Sequence, residues 1–339
     1  GHAAGPWPAW CEVIEAGHPL PDAGSLRAGL RLLEMLATAP EDVQLLFLIS
    51  GGASSLLEVL PEGMALADLQ RLNAWLLASG WPIGRINALR RRLSRIKGGR
   101  LLDHLQGRPV RALLISDVPD DDPAVIGSGL LFPVAKDLQS EPDAVPDWLH
   151  LWLERAAMQD AQTGERAKIE AEIVARLDQA LAAAAESAAA AGYPVYRAAA
   201  RLDGDATEAG ITIATTLLTG APGIYLWGGE TTVQLPEHSG QGGRCQQLAL
   251  AAAVCLAGHD DIVLLAAGTD GSDGPSDAAG ACIDGRTLHR GMSEGLDPQR
   301  ALARADAGHF LEAAGDLLDT GPTGTNVTDL VIGLKTFDI

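Results

Sequence analysis

Residues 262–283, IVLLAAGTDGSDGPSDAAGACI, join an uninterrupted apolar run to a loop that carries Asp270, Asp273 and Asp277 among Gly268, Gly271 and Gly274. An apolar run of this length, stopped by glycine, reads as a buried strand. The junction recurs along the chain. LLFLI precedes Ser50, Gly51, Gly52, Ala53 and Ser54; ALLI precedes Ser116, Asp117, Val118 and Pro119; IYLW precedes Gly228, Gly229, Glu230, Thr231 and Thr232; LLDTG leads into Pro322, Thr323, Gly324, Thr325 and Asn326. Open α/β sheets bind ligands outside the carboxyl ends of their strands, where glycines let the backbone come close and carboxylates can hold a metal ion. The repetition predicts a site assembled from strand ends.

Between these junctions strand-like runs alternate with helical ones, the pattern of a largely parallel sheet covered by helices. A chain of 339 residues is too long for one ordinary domain and suits two. The first α/β unit is expected over 1–164, with a strand at 11–16, a helix at 25–37, a strand at 43–49, consecutive helices at 64–79 and 82–96, and a strand at 110–115. From 132 to 163 the text is marked by Pro, Asp and Trp and reads as a connection with short helices. The second unit is expected over 165–339. Its alanine-rich segment 169–191 reads as a helix stopped by Gly192, followed by a strand at 193–196 and a helix at 205–218. Strands GIYLW and TTVQL, the helix RCQQLALAAAVCL, the strand IVLLAAG and a short strand DLVIGLK complete it.

Charge narrows the function classes. A formal net charge of −19 opposes an extended nucleic-acid surface, because phosphate binding across a large face needs a basic field. An anionic small molecule would have to be met by local cations, and residues 85–100, RINALRRRLSRIKGGR, concentrate them. Ile86, Leu89, Leu93 and Ile96 step by three or four, so a helix can bury that stripe and display its arginines elsewhere. Lys97 and Arg100 stand apart because they flank Gly98 and Gly99, where backbone can approach an anion. The four cysteines are far apart with no CxxC pair, which points to a reducing compartment. With neither a signal-peptide pattern nor an apolar run of spanning length, a cytoplasmic protein is expected.

Longer motifs carry a resemblance. EAGHPLPD (15–22), LISGGASSLL (48–57), INALRRRLSRIKGGRL (86–101), SDVPDDDPAVIGSG (116–129), GGETTV (228–233), GQGGRCQQLALA (240–251), AAGTDGSDGPSDAAGA (266–281) and TGPTGTNVTDL (320–330) follow one another along nearly the whole chain. In this order they resemble the class II glycerate kinases, or glycerate 2-kinases, whose C-terminal portion is the MOFRL region, here about 222–335. The resemblance implies two α/β domains with the active site in the cleft between them. It implies ATP-dependent, Mg2+-assisted phosphorylation of D-glycerate, or a similar small hydroxy acid, to the 2-phosphate. It also implies that this sequence begins after the family's first strand–helix unit, which bears a lysine in a GKA-type motif. Two other readings stay open: a catalytically impaired nucleotide- or metabolite-binding protein, and a hydroxypyruvate reductase. Against the reductase, no G-x-G-x-x-G with an acidic residue beyond it follows any strand. A homodimer is left open too.

Phosphoryl transfer spreads negative charge over the phosphoryl oxygens, so catalysis is mostly positioning and electrostatic stabilisation. The resemblance puts the catalytic arginine at Arg244, whose guanidinium matches phosphate oxygens two at a time. Asp117 is a candidate to orient the glycerate hydroxyl or accept its proton, and Lys97 is the third catalytic candidate. Ser50, Gly51, Gly52, Ser54, Arg100, Thr323, Gly324, Thr325 and Asn326 are expected to hold substrate or phosphate, without the Gly-Lys-Ser/Thr ending of a Walker A loop. Gly228, Gly229, Glu230, Thr231, Gly268, Asp270 and Gly271 are nucleotide candidates. Asp270, Asp273 and Glu230 are the Mg2+ candidates, while Asp277 is expected to cap a helix or turn. The chain departs from the family at several places. Cys245, Gln246 and Gln247 replace Asn-Gln-Glu, and RADAGHF at 304–310 replaces an Asn-Asp-Ser-type stretch, so the hydroxy acid need not be glycerate itself.

Overall fold

The run LLFLI forms a strand, and its pairing sets the first half of the architecture. The computed structural model describes residues 7–134, 145–159 and 167–337, and the chain divides into two compact units, Gly1–Val174 and Ala175–Ile339. The first unit holds α1 (Ala23–Thr38), β1 (Leu45–Ile49), α2 (Ala53–Leu56), α3 (Leu66–Ala78), α4 (Ile83–Arg92), β2 (Val110–Ile115), α5 (Asp147–Gln159) and β3 (Ile169–Ala175). Its sheet has the order β1-β2-β3, and β1 and β2 pair in parallel from Leu45↔Val110 to Ile49↔Leu114. Parallel neighbours end side by side, so the loops opening at Ser50 and Ser116 emerge together. One core, including Leu36, Ile49, Ile96, Leu101 and Leu114, lies against the sheet. A second, with Leu69, Leu72, Leu76, Leu89, Leu93 and Leu149, lies among α3, α4 and α5.

The second unit holds α6 (Leu177–Ala190), β4 (Val195–Arg197), α7 (Ala206–Thr219), β5 (Gly223–Gly229), α8 (Arg244–Leu256), β6 (Ile262–Gly268), β7 (Gly280–Asp284), α9 (Thr287–Ser293), α10 (Pro298–Ala303), α11 (Ala307–Ala314), β8 (Leu317–Leu318) and β9 (Asp329–Lys335). The sheet order is β4-β5-β9-β6-β7-β8. Alanine-rich α8 is buried along most of its length in the main core, because small side chains let α7 and the sheet approach it closely. Among the described residues, no helix is long and apolar enough to cross a membrane.

The α/β class holds, with one sheet carrying a parallel pair and the other mixed. Within the second sheet, however, only β4 and β5 pair in parallel; β5–β9, β9–β6, β6–β7 and β7–β8 are antiparallel. Other expectations also change. Residues 11–16 form no strand, and TTVQL makes only an isolated bridge between Asp205 and Thr232. The segment read as one helix from 169 divides at Arg176. Ile169 and Ile173 pack against the core while Glu172 reaches Arg111 at 2.9 Å, a two-residue period that belongs to a strand. The helix expected to 96 stops at Arg92, because Ser94 turns its hydroxyl onto buried Glu58 and the Arg95 N–H donates to Val59 O at 2.8 Å. In 132–163 the described residues contain one 13-residue helix, α5; 135–144 and 160–166 lie outside the described residues.

Candidate active site

Strand β9 gathers the predicted loops of the second unit. It lies antiparallel between β5 and β6, so its first residue sits where both neighbours end: Asp329 is in register with Gly229 on one side and Gly268 on the other. Arg244, the first residue of α8, reaches the same point. Its Nη2 donates to Asp329 Oδ1 at 3.2 Å and its Nη1 to Glu230 Oε1. Burial works against the Arg244 charge, yet the carboxylates of Asp329 and Glu230 outweigh it and hold the guanidinium above its ordinary pKa. Burial raises Asp329 as well, with Arg244 pulling the other way. Neither Asp329 Oδ2 nor Thr328 Oγ1, both buried, finds a hydrogen-bond partner among the described residues. Thr328 has φ +75°, a strained setting for a β-branched residue and one that concentrates at functional sites.

Asp273 plays another part. Its Oδ1 accepts the Cys245 N–H at 3.1 Å and its Oδ2 the Gln246 N–H at 2.8 Å, which makes it the cap of α8 supplied from a distant loop. The N-cap position itself is Gly243, and a Cβ there would overlap the Asp273 carboxylate. Burial raises Asp273 to about 6 against the pull of these two N–H groups. Burial also pushes the Cys245 thiol well above its ordinary value, which leaves it a neutral, inert neighbour.

The loops behave partly as predicted. Asp270 Oδ1 accepts the Ser272 N–H at 3.0 Å in a local turn, and the Thr323 N–H donates to Asp270 O at 3.2 Å, so the 268–273 and 323–326 loops are tied together. Thr323 gives its hydroxyl to Thr269 O at 2.6 Å, and Asn326 Oδ1 accepts the Thr328 N–H at 2.9 Å. Gly324 and Thr325 are exposed at the tip, Gly271 lies close to the backbone of Gly321, and Thr231 is buried. Gly228 and Gly229 have packing reasons to be glycine: a Cβ would press on Leu177 in one case and on the Leu202 backbone in the other.

The three acids proposed for Mg2+ do not fit a protein-built cage. No group of three or more His, Cys, Asp or Glu side chains among the described residues is arranged to hold a metal ion. Asp273 has both oxygens on a helix end and Glu230 is paired with Arg244, which leaves Asp270 alone of the three.

In the first unit the parallel strand ends bring Gly51 and Asp117 into contact; a Cβ on Gly51 would overlap the Asp117 carboxylate. Ser54 Oγ lies 2.7 Å from Ser128 Oγ, while exposed Ser50 and half-buried Gly52 line the turn into α2. The expected anion cradle at Lys97 is otherwise engaged. Lys97 Nζ is buried against Glu58 Oε2 at 2.5 Å and Ser54 O at 2.7 Å. The N–H groups of Gly98 and Gly99 donate to Ser128 O and Gly129 O at 3.0 and 2.7 Å, and Arg100 Nη1 donates to Arg91 O at 2.8 Å, bracing the end of α4. A buried carboxylate draws the lysine inward, and carbonyls of the 126–129 turn take the place an anion would have had.

Sequence reasoning missed Asp329 and Glu58. Each left a signal: an acid opening the apolar strand DLVIGLK, and an acid inside the apolar run LLEVL, where a charge needs a buried partner.

The chain is similar to known proteins along nearly its whole length. Residues 2–159 match the family described as a domain of unknown function (DUF4147), and 223–329 match the MOFRL family. The D-glycerate 2-kinase of Thermotoga maritima is 38% identical over 98% of this chain and 82% of its own. A provisionally named hydroxypyruvate reductase of Agrobacterium vitis is 40% identical over 94% of this chain and 86% of its own. The crystal structure of a Thermotoga maritima glycerate kinase superposes with a TM-score of 0.83 at 36% identity, covering 99% of this chain and 83% of that one.

Proposed function

The chain belongs to the glycerate 2-kinase family, and from that premise we propose that it transfers the γ-phosphoryl group of ATP to the 2-hydroxyl of D-glycerate, giving 2-phosphoglycerate and ADP. The observation that carries the reading is the convergence of Arg244 with the ends of β5 and β6 and the start of β9. A guanidinium held at strand ends, beside donor-rich loops, suits phosphoryl oxygens.

In the second unit, Asp329 anchors one edge of the Arg244 fork, while the more exposed Glu230 yields its place to a phosphoryl oxygen when nucleotide arrives. Asp270, whose carboxylate accepts only the Ser272 N–H among the described residues, would be the one of the three acids left to meet Mg2+ brought in with ATP, whose charge would offset that of the phosphates. Residues of the 323–326 loop line the phosphate side. In the first unit, Asp117 is the carboxylate suited to take the proton of the 2-hydroxyl that the transfer releases. Gly51 gives its carboxylate room to approach. Lys97 acts from behind, by fixing Glu58 and the Ser54 carbonyl. Four unpaired cysteines are in keeping with a cytoplasmic protein.

The decisive measurement is ADP release coupled to a spectrophotometric readout, with D-glycerate, ATP and Mg2+. Turnover that requires D-glycerate supports the reading; oxidation of NADH by hydroxypyruvate with no ADP release would replace it with the reductase.

A further inference from the structure

Beside α2 the first unit holds a partly open cavity of about 190 Å³. Leucines 69, 72 and 93 form an apolar wall, and Glu58, Lys97, Asn73 and Arg90 bring polar atoms to it. Two of its three charges cancel. Glu58 Oε1 accepts the Ser94 hydroxyl at 2.6 Å and the Val59 N–H at 3.0 Å, and Glu58 Oε2 is held by Lys97 Nζ. Arg90 is left over. Its Nε donates to Asn73 Oδ1 at 3.0 Å, whereas its two terminal nitrogens make no hydrogen bond or ion pair among the described residues. Burial pushes its guanidinium below the ordinary range, and Glu58 offsets this only in part. A half-buried cation whose terminal nitrogens have no partner among the described residues, at the edge of a polar-lined cavity, is a site for an anion.

We propose that this cavity is a carboxylate pocket in which the two terminal nitrogens of Arg90 hold the carboxylate of a small hydroxy acid, with Asn73 fixing the plane of the guanidinium. Its size selects the ligand. About 190 Å³ lies below the roughly 300–1,000 Å³ of pockets that hold drug-sized molecules, which favours a small ligand over a nucleotide. Its charge selects too: one uncompensated positive charge suits a monoanion and leaves a phosphate dianion unbalanced. Naming D-glycerate as the ligand rests on the kinase reading; the pocket and its preference for a small carboxylate rest on geometry alone.

The test is calorimetric titration of the 339-residue protein, without nucleotide, with D-glycerate and separately with glycerol, which keeps the three-carbon polyol and lacks the charge. D-glycerate binds and glycerol does not. Arg90→Ala weakens D-glycerate binding roughly tenfold or more, and Arg90→Lys recovers only part, because the fork is lost. Leu69→Trp, which fills the cavity and keeps Arg90, also abolishes binding; far-UV circular dichroism checks that both variants are folded. An unchanged Kd in folded Arg90→Ala, or no D-glycerate binding by the wild type, overturns the pocket. Turnover measured in parallel separates the two ideas. D-glycerate-dependent ADP release with an unchanged KM in Arg90→Ala discards the pocket and keeps the kinase. Binding that is lost in Arg90→Ala, with no ADP release by the wild type, keeps the pocket and discards the kinase.

Discussion

At Asp273 burial and hydrogen bonding pull in opposite directions, and burial wins. The carboxyl loses its proton near 3.8 in an unfolded chain and at about 6 in the folded protein. Between those values the folded state holds the extra proton, so stability falls as pH rises from about 4 to about 6 and is level above, a loss on the order of 3 kcal/mol. Asp273→Asn removes this titration. The stability of the wild type relative to that variant therefore declines across the same window, which denaturant unfolding at stepped pH measures; a flat difference would mean the carboxylate is ionised throughout. Gly51 offers a sharper residue-scale test. Adding a single methyl as Gly51→Ala displaces the Asp117 carboxylate, and a misplacement of that kind lowers kcat by about a hundredfold with little change in melting temperature. Arg244→Lys keeps the charge and loses the fork that spans Asp329 and Glu230, so kcat falls by roughly 10²-fold or more while circular dichroism stays native.

Among the elements, the legible ones were those whose pattern was local. β2, β6 and β9 lie where their apolar runs place them, and α7 and α8 lie within a residue of the runs read as helices. The failures share a cause: partners distant in sequence decided the outcome. IEAEIVA has enough alanine and glutamate for a helix, yet its alternation found a sheet edge; α4 ends early because Glu58, in another segment, captures Ser94 and Lys97. That capture is itself testable. Lys97→Met leaves the Glu58 carboxylate buried and unpaired and costs about 3–5 kcal/mol, whereas Lys97→Met combined with Glu58→Leu restores much of the loss, since well-packed apolar residues often replace a buried pair. Urea unfolding of the single and double variants decides between this and a lysine whose value lies only in binding.

For the whole chain, motif order carried the family and the loops of the site, while side-chain direction stayed out of reach. Asp270, Asp273 and Glu230 looked alike as acids in glycine-rich loops; three dimensions separate them into a turn former, a helix cap and the partner of a guanidinium. The position of β9 also has a bearing on time. The strand at the centre of the six-stranded sheet follows all its neighbours in the chain, so β5 and β6 wait on the ribosome with their inner edges open until residues 329–335 emerge. Deleting 329–339 should strip hydrogen-exchange protection from β5 and β6 and leave β1 and β2 protected. The pairing of Arg244 with Asp329 thus waits on a strand that follows β5 and β6 in the chain, and a chain cut short of 329 carries Arg244 without that partner.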